Sequence, residues 1–574
     1  MCTFKTALKI AAAAISVSGA IASAQKHVGV AVLERNYTNP VLHGDYSDPD
    51  VTRVGDDYYM TSSSFSNVPG LPVLHSRDLV NWSLIGHALK AITPTAHFAT
   101  PRRTGGVFAP SIRHHDGKFV IYYPDPDQGI FLVTATDPHG PWSDPVLAWK
   151  GQGMIDPAPF WDEDGTGWLV VGWAKSRAGI NNLVTLKRLN RDGAVAEPSG
   201  RGKILIDGAS LPPVATSIGP RAWSVIEGPK LYKRNGWYYI FVPAGGVKQG
   251  WQGVFRARSI TGPYEGRNVL DQGRTPINGP HQGAWVNTAQ GEDWFIHFQD
   301  RDAFGRQVLL QPMKWLKNGW PVIGIDPDGD GRGEPVVQYR KPALPSQPAT
   351  PLNSRDDFDH GLSLAWQWNA NPRVDWASLI DNPGSLRLKS VSSTSNLYET
   401  GNVLSQKLPA MSFITTTKLV FSPKNIGEAA GLVLLGQDYG WVGVKNIEAG
   451  LRIVQVANNR IMTGGVEREI AAIPARPGPV WLRLSVIPRE APVEPQSNQG
   501  WPSMRSDLRA KVIASFSVDG ERFKQIGEAF EVRQGGWVGA QVGVFARATS
   551  GTPAFVAPTV GYADFDDFTN ETRP

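Results

Sequence analysis

The sequence predicts an all-β protein, a five-bladed β-propeller followed by a jelly-roll-like β-sandwich, and three observations carry that prediction. Gly (61) and Pro (45) are too frequent in 574 residues for long helices, whose interiors both residues destabilise. A hairpin-like unit recurs five times between residues 40 and 325. Beyond a Pro/Ser/Ala/Gln-rich stretch, short segments of alternating polarity run to the C-terminus. Single cores stop growing near roughly 250 to 300 residues, so two domains are expected.

The chain opens on a targeting signal over residues 1–24: Lys5 and Lys9, an apolar stretch from Ile10 to Ile21, then Ala22-Ser23-Ala24. Cleavage before Gln25 implies a secreted or periplasmic protein. The apolar stretch is Ala/Ser/Gly-rich and shorter than the roughly 20 residues a bilayer requires, so no membrane partner is expected. The only cysteine, Cys2, lies inside the signal, which excludes thiol catalysis and disulfides from the mature chain. With 57 Lys+Arg against 52 Asp+Glu, and no single-sign block, nothing marks a nucleic-acid partner.

The propeller is expected over residues 36–337. Its units open at Asp48-Pro49-Asp50-Val51, Ala109-Pro110-Ser111-Ile112, Asp156-Pro157-Ala158-Pro159, Glu227-Gly228-Pro229-Lys230 and His281-Gln282-Gly283-Ala284. Each opening leads through a Gly/Asp-type turn into an aromatic second strand, such as FVIYYPD or WYYIFVP, which is a hairpin signature. A third strand follows in most units. Three or four strands per unit, with no helical period between units, specify propeller blades. A linker is expected over 338–352, and short alternating segments such as FITTTKLVF and WLRLSVI predict a sandwich over 353–572.

The register of the repeat points to chemistry. In four units the turn is counted seven residues after the opening residue, which makes Asp48, Ala109, Asp156 and Glu227 equivalent, with His281 close to the fifth position. Equivalent first residues of innermost strands form a ring at one mouth of a propeller channel, and three of these five are acids. Crowded carboxyls in a walled pocket hold a proton on one acid beside ionised neighbours, the equipment of glycoside hydrolysis. Asp48 and Asp156 also suit Asp-Pro turns, but Glu227, a poor turn former, does not. Asp50, two residues beyond Asp48, is a competing base.

These motifs resemble glycoside hydrolase family 43, five-bladed propeller enzymes acting on arabinose- and xylose-containing glycans. The likeness rests on Asn39-Pro40-Val41-Leu42 with Asp45-Tyr46-Ser47-Asp48-Pro49-Asp50-Val51, on Ile155-Asp156-Pro157, on Ile226-Glu227-Gly228-Pro229 and on Gly305-Arg306. It implies Asp48 as general base, Glu227 as general acid, Asp156 as the acid that orients Glu227 and modulates its pKa, and Arg306 as sugar-binding. It also implies His281 as a candidate ligand of a structural calcium in the channel, with no cofactor required for the chemistry. Phe108-Ala109-Pro110 stands where many relatives have Trp-Ala-Pro, so Phe108, with Phe65, is expected at the sugar subsite. The implied protein is a secreted inverting exo-glycosidase releasing terminal xylose or arabinose from hemicellulose oligosaccharides, β-D-xylosidase favoured. α-L-Arabinofuranosidase or dual activity is the alternative, and a non-catalytic glycan-binding propeller is the reading from another class. The retaining invertase-type propeller is disfavoured, because its Asn-Asp-Pro-Asn-Gly and Glu-Cys motifs are missing here.

Asp326-Pro327-Asp328-Gly329-Asp330-Gly331 imitates a calcium loop, but its twelfth position is Val337 rather than a bidentate Glu. An interdomain turn is expected there. The C-terminal segments resemble the family's concanavalin-like domain and show no acidic or aromatic constellation of their own.

Overall fold

The computed structural model describes residues 35–353, 355–393, 396–459, 461–491, 507–549 and 560–573. The expected signal over 1–24 lies outside the described residues. Among the described residues, no helix is long and apolar enough to cross a membrane.

Five four-stranded antiparallel sheets follow one another from Asp50 to Ile323, each with its strands in chain order. The blades open with Asp50–Val54, Ser111–His115, Met154–Trp161, Lys230–Arg234 and His281–Asn287. The first of these strands touches those of blades 2 and 5, and the third touches those of blades 2 and 4, so the five line a central channel. In blades 2 and 4 the first hairpin closes through Asp116-Gly117 and Asn235-Gly236, all at positive φ, as a tight turn matching strand twist demands.

Apolar residues of the propeller divide into five clusters, one between each pair of adjacent blades. The division follows from the two-residue period of a strand. In Lys118–Asp125, Phe119, Ile121 and Tyr123 pack toward blade 1, while Val120 and Tyr122 pack toward blade 3. Each fully buried side chain of this kind contributes about 1.5–3 kcal/mol. The near-continuous apolar second strands of the sequence are therefore strands buried on both faces.

The ring is closed from both ends. Asn36–Thr38 pairs antiparallel with Gln338–Arg340, and Leu42 bridges Val308 in blade 5. Gln338–Arg340 was expected in the linker and is instead a strand, paired with Asn36–Thr38 in a two-stranded sheet apart from the five blades. The remaining linker is also held, since Gln347 accepts from Arg77 N at 2.8 Å and its own N–H donates to Asp78 at 3.2 Å. The Asp326–Gly331 loop is not interdomain: Ile325 bridges Glu334 across it, and Asp326 accepts from Gly329 N and Gly331 N at 2.7 and 2.8 Å.

Beyond residue 353 the described strands form a nine-stranded and an eight-stranded sheet packed face to face as a sandwich. It is fastened to the propeller by backbone as well as side chains. Val68 pairs with Trp368, Gln367 donates to Pro69 O at 2.7 Å, and Arg103 donates to Tyr398 O at 2.8–2.9 Å.

Candidate active site

Where each blade leaves the channel rim, one residue adopts positive φ: Asp48 (55°), Ala109 (44°), Asp156 (55°), Gly228 (63°) and Gln282 (40°). The ring of equivalent positions is therefore Asp48, Ala109, Asp156, Gly228, Gln282, and Glu227 and His281 each stand one residue earlier. This corrects the register read from sequence. The turn of blade 4 is Asn235-Gly236, and counting from Arg234, which is still strand, displaced that unit by one. Glycine suits position 228 on two grounds, left-handed backbone and space, because a Cβ there would meet Gln282 Cγ at 2.8 Å. Its N–H donates to Asp156 Oδ2 at 2.7 Å, which ties the third blade's acid to the residue after Glu227.

The trio still converges. Asp48 is buried, accepts a 2.5 Å hydrogen bond from the Ser63 hydroxyl, and faces Arg306 Nη1 at 3.4 Å. Ser63 Oγ in turn accepts from Ala109 N at 2.7 Å, so blade 2 fixes the rotamer of a blade 1 side chain. Burial pushes the Asp48 carboxyl upward; Arg306, Ser63 and His281 draw it back down, and Glu227 raises it. Asp50 is separated from this chemistry: its Oδ2 accepts from Ile112 N at 2.8 Å and Arg113 Nη1 at 2.6 Å, joining blades 1 and 2.

Glu227 is the most open of the three acids, with its side chain 26% exposed. Its Oε1 lies 2.7 Å from His281 Nε2. Burial first, and then repulsion from Glu227, push Asp156 up to about 8. The buried Asp156 carboxyl thus carries a proton at neutral pH, and its Oδ2 holds the backbone beside Glu227. Asp156→Asn removes this titrating group from beside Glu227 and should change the pH dependence of kcat/KM. A pH–rate profile identical to that of wild type would separate Asp156 from the proton donor.

Beneath the acids lies Lys230, fully buried, whose Nζ donates to Ser111 Oγ at 2.6 Å. Burial lowers its pKa, while Asp50, Asp156 and Asp48 favour its charged form against Arg113. The same cation draws Asp156 down.

His281 hydrogen-bonds Glu227 through Nε2, and its buried Nδ1 has no hydrogen-bond partner. Among the described residues no three His/Cys/Asp/Glu side chains gather around one point, so an ion held here would be held by this Nδ1 with oxygens from outside that set.

Phe65 and Phe108 stack at 5.6 Å between ring centroids. Phe65 is 6% exposed and backs Phe108, which keeps part of its surface open. The guanidinium of Arg306 sits 5.0 Å from the Phe298 ring and 5.6 Å from that of Trp537, a sandwich residue 53% exposed. Sequence reasoning missed Trp537, Ser63 and Lys230. The run Ser62-Ser63-Ser64 after the first hairpin, and a tryptophan set between glycines in Gly535-Gly536-Trp537-Val538-Gly539, were the available signals.

Comparison with known proteins identifies both domains. Residues 37–321 match glycosyl hydrolases family 43, and residues 355–571 match the beta xylosidase C-terminal concanavalin A-like domain. A beta-xylosidase of Formosa agariphila is 30% identical over 580 residues, 93% of this chain and 90% of that protein. A non-reducing end alpha-L-arabinofuranosidase of Bacteroides ovatus is 32% identical over 435 residues, 71% and 75% of the two chains. The crystal structure of a xylan beta-1,4-xylosidase from Bacillus halodurans superposes with a TM-score of 0.77 at 27% identity, covering 93% of this chain and 99% of that one. A propeller whose rim gathers two aspartates, a glutamate and an arginine, joined to this particular sandwich, thus places the chain in glycoside hydrolase family 43.

Proposed function

We propose that the chain is a secreted or periplasmic exo-acting β-D-xylosidase that cleaves hemicellulose oligosaccharides by single displacement. One observation supports the chemistry above the rest: Asp48, held by Ser63 and Arg306, and Glu227, held by His281, are acids on different blades with different environments, near enough that Glu227 raises the Asp48 carboxyl. Asp48 takes a proton from water as the water oxygen bonds to the anomeric carbon. The glycosidic bond breaks as Glu227 delivers its proton to the leaving oxygen, and Asp156 holds the backbone beside Glu227 in place. The new anomeric hydroxyl then lies on the face opposite the bond that broke.

Xylose preference is supported by the Formosa relative, which aligns over most of both chains. Arabinofuranosidase activity is the second reading, supported by the Bacteroides relative. The test is kcat/KM on 4-nitrophenyl β-D-xyloside against 4-nitrophenyl α-L-arabinofuranoside, expected to favour the xyloside at least tenfold; the reverse order selects the second reading. Proton NMR of 4-nitrophenyl β-D-xyloside hydrolysis, which frees a single sugar, should show α-xylose first, before mutarotation. Initial release of β-xylose would overturn single displacement.

A further inference from the structure

Asp45 lies three residues before Asp48 and is 5% exposed. Its two carboxylate oxygens are divided between the two domains. Oδ1 accepts from the backbone N–H of Arg306 at 2.9 Å, and Oδ2 accepts from the backbone N–H of Gly539 at 3.1 Å. Its carbonyl accepts from the buried Lys407 Nζ of the sandwich at 2.5 Å. The joint has no spare room: a Cβ on Gly305 would meet Asp45 Cβ at 2.5 Å, and one on Gly539 would meet Gly305 Cα at 2.6 Å. Ala540 N donates to Ala303 O at 2.8 Å, continuing the same seam. The Gly535–Gly539 segment carries Trp537, whose ring lies over the Arg306 guanidinium, and that guanidinium faces Asp48.

We propose that Asp45 is a positioning residue for the reaction, one carboxylate that sets both the arginine beside the catalytic base and the sandwich tryptophan at the pocket rim. The proposal rests on the reading of Asp48 and Arg306 given above. A carboxylate fits the position because both of its neighbours are donors, and asparagine has only one oxygen to offer two N–H groups. Losing either bond leaves a buried N–H unsatisfied and lets the segment carrying Trp537 drift from Arg306.

The experiment is a double-mutant cycle in the full-length protein. Asp45→Asn is expected to lower kcat/KM on xylobiose 10- to 100-fold, raising KM as Trp537→Ala does and lowering kcat in addition through Arg306. The double variant should be no worse than Asp45→Asn by more than about twofold, since contacts sharing one network are not additive. A residue serving only as interdomain cement would lower kcat with the folded fraction and leave KM alone; that result, or fully multiplicative losses, overturns the proposal. Should Asp45→Asn fail to fold, Gly539→Ala lifts the loop with Asp45 intact. It should raise KM as Trp537→Ala does, and an unchanged KM there also overturns it. An active Asp48→Asn variant would instead bring down the underlying site reading.

Discussion

Asp48→Asn is expected to lower kcat/KM by about 10³- to 10⁴-fold on every substrate, activated or not, because attack by water then lacks its base. The carboxamide is isosteric and can still accept from Ser63, so the fold should persist, with a thermal unfolding midpoint within a few degrees of wild type. The uniformity across leaving groups is what identifies the role. Substantial activity in this variant would transfer the base to another acid. Asp50 is a poor candidate, since Arg113 and the Ile112 backbone already occupy its Oδ2.

Glu227→Gln should divide substrates by leaving group. On xylobiose, whose departing hydroxyl is a strong base, the loss should reach about 10³- to 10⁴-fold, whereas a nitrophenyl xyloside should lose only roughly tenfold. His281 Nε2 can still donate to the carboxamide oxygen, so geometry is kept while the proton is removed. Equal losses on the two substrates would show that Glu227 is not the donor. Added azide offers a further check, because a small nucleophile leaves the need for leaving-group protonation untouched and should rescue neither substrate selectively.

The blades were legible because each carries its own turn and its own aromatic second strand, and a strand buried on both faces writes a continuous apolar run. The acids were legible because repetition brought them to similar positions. The register of Glu227 was not, since a hairpin's last paired residue is set by hydrogen bonding and Arg234 reads as turn by composition alone. In blade 3 a bulge between Ile155 and Ala158 adds a further offset that counting along the sequence does not detect. Trp537 and Asp45 were hidden for another reason. They meet Arg306 from segments about 230 and 260 residues away, one in the sandwich and one at the start of the propeller, and no local pattern encodes contacts that distant in sequence.

The three-residue pair that joins the two ends of the propeller has a consequence for folding. Asn36 and Arg340 are about 300 residues apart, so the chain of all five blades must be ordered before the first strand meets its partner. Until blade 5 docks, blade 1 presents to solvent the apolar side that blade 5 covers, including Tyr58, Met60 and Leu74. Contacts this distant in sequence make for slow folding, and dilute conditions should therefore favour refolding over aggregation.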